Sequence, residues 1–146
     1  MTTQTSESQQ QSAERIEAAF LEAYNIGNLD VLDDIAAPDF VAYHFSVPEP
    51  IRGIEAYKKR IIDIRAGFPD FEMESEGLIV EGERSAAMYR WMGTHDGEYN
   101  GLAPTGTKVE VTAATVSEMR DGELVEFHIF GDRMDLLEQL GMMPDS

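Results

Sequence analysis

From residue 71 onward the sequence is a series of strand-like runs, and no other feature constrains the fold as much. Residues 71–80, 85–95, 108–119 and 123–131 read as strands, and the long ones bear large apolar groups on both faces, which suggests a sheet curved around helices. The joins between them are turn signals. EGER separates the first two runs, DGEYNGLAPTGT forms a longer loop over 96–107, and Asp121-Gly122 is a strong hairpin signal. Consecutive strands joined this way pair antiparallel.

The first half reads differently. Ser12 can cap a helix carrying Ile16, Phe20, Ala23 and Tyr24 on one stripe, with Gly27 as its stop. Asn28 can cap a short second helix through Leu29, Leu32 and Ile35, ended before Pro38. Residues 39–45 alternate as a strand, VPEPIRG reads as loop, and residues 54–66 form a third helix with Ile54, Tyr57, Ile61 and Ile64 on its stripe. Gly67 and Pro69 end that helix, and residues 134–140 give a last short one stopped by Gly141. Early helices followed by consecutive hairpins make an α+β class: a curved, mostly antiparallel sheet wrapped around three N-terminal helices, with a central pocket. Residues 1–12 are polar and read as a disordered tail, and residues 13–146 as one domain.

Charge removes several function classes. The chain has 28 Asp and Glu against 11 Lys and Arg, a net charge of -17. Such a surface repels phosphate backbones and anionic lipid, so neither nucleic acid nor a membrane is an expected partner. Dense carboxylates with few lysines also suit a high-salt host, where screening relieves self-repulsion. There is no cysteine, hence no thiolate ligand, disulfide or cysteine nucleophile. No apolar run approaches membrane-span length and the N-terminus is polar, which makes a cytoplasmic protein the expectation.

Strand parity gives a map of the pocket. Ala87, Tyr89, Trp91, Gly93 and His95 share one face; Phe40, Ala42 and His44 share another; Leu124, Glu126, His128, Phe130 and Asp132 share a third. A bulge would shift any of these. Asp132 follows an apolar strand and a glycine. Held in apolar surroundings, its carboxyl would rise in pKa toward working pH and exchange protons with carbon. Read from the residues alone, the simpler role is the N-cap of the helix beginning at Arg133. His44, His95 and His128 lack the short spacing of a ligand set on one element, so no metal is expected.

Several segments match a known pattern in order: YNIGNLDVL, APDFVAYH, RGIEAYKKRI, AGFPDFEM, GTHDGEYNGLAPTGTKV, RDGELVEFHIFGDRMDLLEQLG and the closing MMP. From Tyr24 to the end the chain resembles the SnoaL-like polyketide cyclases of the NTF2-like superfamily. The resemblance implies a cone-shaped NTF2-like barrel and cofactor-free intramolecular aldol chemistry. It makes Asp132 the acid/base, reversing the order of its two readings, with His95 and His44 stabilising an oxyanion. Trp91, Tyr89, His128, Phe68, Phe130 and Tyr43 would then shape a site for a small apolar or aromatic carbonyl compound. Similar sequences often carry Trp at His128, which implies a smaller, more polar pocket here. The rival readings are an isomerase, epoxide hydrolase or dehydratase on the same fold, or a non-catalytic module. Met88, Met92 and Val116 on the outer sheet face would serve a homodimer.

Overall fold

The computed structural model describes residues 5–142, so Met1–Gln4 of the polar tail and Met143 and Pro144 of the MMP segment lie outside the described residues. Helix α1 spans Glu7–Ile26 and starts earlier than the sequence predicts. The reason is a capping box: Ser6 Oγ accepts from the Gln9 N–H at 3.2 Å, and Gln9 Oε1 accepts from the Ser6 N–H at 2.9 Å. Residues 7–12, predicted as tail, are therefore helical. Ala13, Ile16, Phe20 and Ala23 form the buried stripe, and fully burying a ring such as Phe20 is worth about 1.5–3 kcal/mol. Gly27 ends the helix in the left-handed region, with φ 84°.

Leu29–Asp34 is a 3₁₀ turn rather than an α-helix. Strand β1 (Ala36–His44) then starts before Pro38, the residue expected to precede it. Its pairing with the last long strand slips between Ala36 and Val41, where Pro38 has no N–H for the ladder. A short strand β2 (Ile51–Arg52) lies inside the segment predicted as loop. Helix α2 (Ile54–Gly67) and strands β3 (Glu72–Glu81), β4 (Arg84–Thr94), β5 (Lys108–Arg120) and β6 (Glu123–Gly131) follow the predicted order. Helix α3 (Arg133–Gln139) closes the chain.

The six strands form one sheet in the order β2-β1-β6-β5-β4-β3, antiparallel except for β1 beside β6. The sheet is curved and unclosed, and α1 and α2 fill its concave side. Two apolar clusters result. One joins α1, α2 and β1 to the β6 residues Leu124, Phe127 and Ile129. The other gathers Phe68, Phe71, Trp91, Tyr99 and Val111 with Leu136 and Leu140 of α3. No helix among the described residues is long and apolar enough to cross a membrane.

Parity holds on β1 and β4 and fails on β6. Met119 pairs with Leu124 and Glu118 with Glu126, leaving Val125 as the extra residue of a bulge. Beyond it the inward residues are Phe127 and Ile129. His128 and Phe130 therefore face outward, a correction to the predicted pocket map. Tyr43 joins them there, stacked on His128 with ring centroids 4.8 Å apart. The exchange of Trp for His128 consequently leaves the inner pocket unaltered.

Candidate functional site

Where the two clusters meet, the concave side keeps a cavity of about 60 Å³, measured as space open to the centre of a water-sized sphere. That is room for on the order of five waters or one small ring. Its wall is aromatic and aliphatic, including Phe20, Phe71, Trp91, Phe127 and Ile129, and its polar groups come from Tyr24, Tyr57, Tyr89, Thr115 and His44. None of the lining residues is Asp or Glu.

The tyrosines are placed by helix stripes. Tyr57 lies on the buried stripe of α2 and Tyr24 on α1, and their hydroxyls meet at 2.6 Å. One donates to the other, so the pair keeps one O–H free for a ligand. Burial pushes Tyr24 up to about 12 and raises Tyr57 well above its ordinary value. Both stay protonated donors at neutral pH. Tyr89 donates to Glu17 Oε2 at 3.1 Å, and burial with that nearby carboxylate raises its pKa as well.

His44 ends β1 at the cavity rim. The Ser46 N–H reaches its Nδ1 at 3.1 Å, and Ser46 Oγ lies 2.8 Å from the same atom. A backbone N–H only donates, so Nδ1 is the acceptor and the ring proton sits on Nε2. Arg60 on α2 donates to Ser46 Oγ at 2.9 Å, which turns the serine proton toward the ring. Burial first, and the Arg60 guanidinium second, lower the His44 pKa to about 3. The residue is a neutral hydrogen-bond donor at physiological pH.

The other predicted site residues are distributed as follows. Tyr89 and Trp91 line the cavity. Phe68 and His95 are fully buried beneath it, stacked with centroids 5.3 Å apart. His95 Nδ1 lies 3.1 Å from Thr105 Oγ1, its Nε2 has no partner, and its backbone holds the 96–107 loop through Thr105, Gly106 and Thr107. Neither Phe68 nor His95 lines the cavity. Asp132 is exposed and accepts from the Asp135 N–H at 2.9 Å as the N-cap of α3. The apolar surroundings expected for its carboxyl are not those it has, because the cap turns it toward the helix.

Among the lining residues that sequence reading missed are Tyr24, Tyr57, Phe45, Thr115, Phe127 and Ile129. The helix stripes were visible. The available signal was that a buried tyrosine on such a stripe needs a partner for its hydroxyl, and two facing stripes can supply each other.

The model of the SnoaL-like polyketide cyclase family matches residues 14–140. A candidate SnoaL-like polyketide cyclase from Jannaschia sp. CCS1 superposes with TM-score 0.85 at 27% identity, covering 95% of this chain and 97% of that one. IdmH of Streptomyces antibioticus, a candidate polyketide cyclase, gives 0.77 at 31% identity over 90% and 99%. A protein of ketosteroid isomerase-like fold from Catenulispora acidiphila DSM 44928 gives 0.74 over 88% and 93%; at 17% identity it speaks to the fold alone. No curated protein matches the chain. These likenesses support a cyclase- or isomerase-type role on the NTF2-like fold, and the chain belongs to the SnoaL-like polyketide cyclase family.

Proposed function

We propose that the cavity binds a small apolar carbonyl compound and stabilises its enolate, as an isomerisation or intramolecular aldol step requires. The observation that carries this reading is the donor wall. An apolar cavity without carboxylates in its lining is bordered by a neutral His44, whose ring proton sits on Nε2, and by the Tyr24–Tyr57 pair, which keeps one O–H free of the other. Donors held in a dry site favour negative charge developing on an oxygen. Proton movement then needs a base, and the resemblance to the family assigns that to Asp132. Its resting cap gives no support. Asp132 lines neither the cavity nor the second hollow beside it, so its role as base rests on the resemblance.

The test is deuterium uptake at the α-carbons of phenylacetone in D₂O, followed by NMR. Wild-type protein should accelerate it, and Tyr57→Phe should lower that acceleration about 10²-fold, the scale of one lost oxyanion donor. Asp132→Asn keeps a good N-cap while removing the base, and should cost roughly 10²–10⁴-fold. Uptake unchanged in Asp132→Asn would leave Asp132 a cap only. No acceleration by wild type would sink the enzymatic reading in favour of a binding module.

The convex face supports a homodimer. Ile79, Met88, Val116 and Phe130 are 73%, 53%, 37% and 53% exposed; the strand registers put Ile79 and Val116 on either side of Ala86 in one cross-strand row and Met88 and Phe130 on either side of Ala114 in the next. A second copy offering the same flat face is the occupant we assign.

A further inference from the structure

Five concavities among the described residues divide by charge. Three of them carry carboxylates on their walls: Glu83 with Asp121, Glu22 with Asp34, and Glu83 with Glu118. Two do not, in a chain with 28 Asp and Glu. One is the inner cavity. The other is a hollow of about 70 Å³ lying between Phe45 and Ser46, the 96–107 loop and α3. Phe45 lines both, so the two hollows adjoin at its ring. That ring packs onto the backbone of Gly131, where a Cβ would stand 2.6 Å from it, so its place beside both hollows is built into the fold.

The polar lining of this outer hollow consists of donors. Arg133 and Asn100 stand in its wall with Ser46, whose hydroxyl is held by Arg60. Among the described residues neither Arg60 nor Arg133 has a carboxylate within ion-pair distance. The neighbouring Asp132 is turned to its cap and does not line the hollow. Ser46 spends its hydroxyl proton on His44, but an uncommitted guanidinium beside the Asn100 amide suits a planar carboxylate, which the guanidinium can bind by two parallel hydrogen bonds.

We propose that the outer hollow is an anion subsite: the substrate is an apolar carbonyl compound bearing a free carboxylate, with its apolar end past Phe45 and its carboxylate on Arg133. The proposal rests on the reading of the inner cavity as an apolar binding site and adds the charge of the substrate. The net charge of -17 makes the claim demanding. At long range the molecule repels anions, so a preference for one needs local cations.

The test compares 4-phenylbutanoate with 4-phenylbutanamide by titration calorimetry in 0.1 M NaCl. The acid should bind about tenfold more tightly than the amide. In Arg133→Gln that advantage should shrink to within about twofold, the acid losing more affinity than the amide, and continued binding of the amide shows an intact cavity. Equal binding of the two compounds, or an acid preference that survives Arg133→Gln, overturns the subsite. Binding of neither overturns the subsite and the cavity reading together. An Arg133-dependent acid preference without deuterium uptake by phenylacetone sustains the subsite and removes only the catalytic reading.

Discussion

On β4 one parity carries Ala87, Tyr89, Trp91 and Gly93, and the other carries Met88, Arg90 and Met92. The first set packs against helices and lines the cavity. The second meets solvent, and there Arg90 gathers Glu74, Glu76 and Glu110 within 3.2–3.7 Å. The same strands thus build a carboxylate-free concave face and a charged convex one. The comparison teaches that the charge of these strands is distributed by parity: Asp and Glu crowd the exterior but are missing from the walls of the two hollows where donors face an apolar space. Screened surface pairs contribute about 0–1 kcal/mol each, so the convex charges set solubility and salt response. On the function proposed above, the concave donors set the chemistry.

The sharpest way to break this comparison uses adjacent residues of β6. Ile129 is 9% exposed and lines the cavity, whereas Phe130 is 53% exposed on the other face. Ile129→Asp should cost about 3–5 kcal/mol in urea unfolding, the scale of an unpaired buried charge. Phe130→Asp should move the stability of the monomer by less than about 0.5 kcal/mol. Its effect should be on association, converting a dimer to a monomer in sedimentation. Equal costs for the two would mean that the faces are not distinct. An unaltered oligomeric state in Phe130→Asp would remove the convex face from the dimer.

Those two residues also show how far the sequence could be read. Alternation and turn chemistry gave β3 through β6 and the helix stripes gave α1 and α2, because period and punctuation are local properties. The β6 bulge at Val125 is not local. It follows from how β5 and β6 settle against each other, and it exchanged the faces of His128 and Phe130 with those of Phe127 and Ile129. On β1 and β4 no bulge intervenes near the cavity, and there His44, Tyr89 and Trp91 were legible as lining residues. The Tyr24–Tyr57 pair was hidden for another reason: it joins two helices 33 positions apart. Asp132 had two chemically reasonable roles, and only coordinates show which hydrogen bond it makes at rest.

A smaller effect sharpens the concave side alone. His44 has a folded pKa of about 3 against an ordinary value of 6.5. Between those values the unfolded chain takes up a proton that the folded protein refuses. The stabilisation is complete above 6.5 and is lost as pH falls toward 3. By pH 4 the loss from this group is on the order of 3 kcal/mol. Protonation of the many exterior carboxylates relieves repulsion and acts in the opposite direction, so the measurement is a difference. Urea midpoints of wild type and His44→Gln, taken from pH 7 to pH 4, should diverge in slope, with wild type falling more steeply. Parallel curves would mean that His44 is not held neutral by its surroundings.

The smallest expected effect concerns the exterior charge, in a chain whose acidic residues outnumber its basic ones 28 to 11. The Debye length shrinks from about 10 Å at 0.1 M salt to about 3 Å at 1 M. Screening over that range weakens surface ion pairs such as Arg84–Glu118 and Arg120–Asp39. It also weakens a larger number of carboxylate repulsions, so the sum favours the folded state. Stability should therefore rise with NaCl by an amount on the order of 1 kcal/mol, comparable with a few surface pairs. The rise should flatten near 1 M once neighbouring charges no longer sense one another. A high-salt host is the setting in which such a surface is least costly, and unfolding at low salt would be the extreme form of the same response. Binding of the uncharged 4-phenylbutanamide supplies the internal control. Its site has no carboxylate in the wall, so its affinity should change by less than about threefold over the same salt range. A salt response of binding as large as that of stability would mean that exterior charge reaches the cavity, and the two faces would then have to be treated as one electrostatic unit.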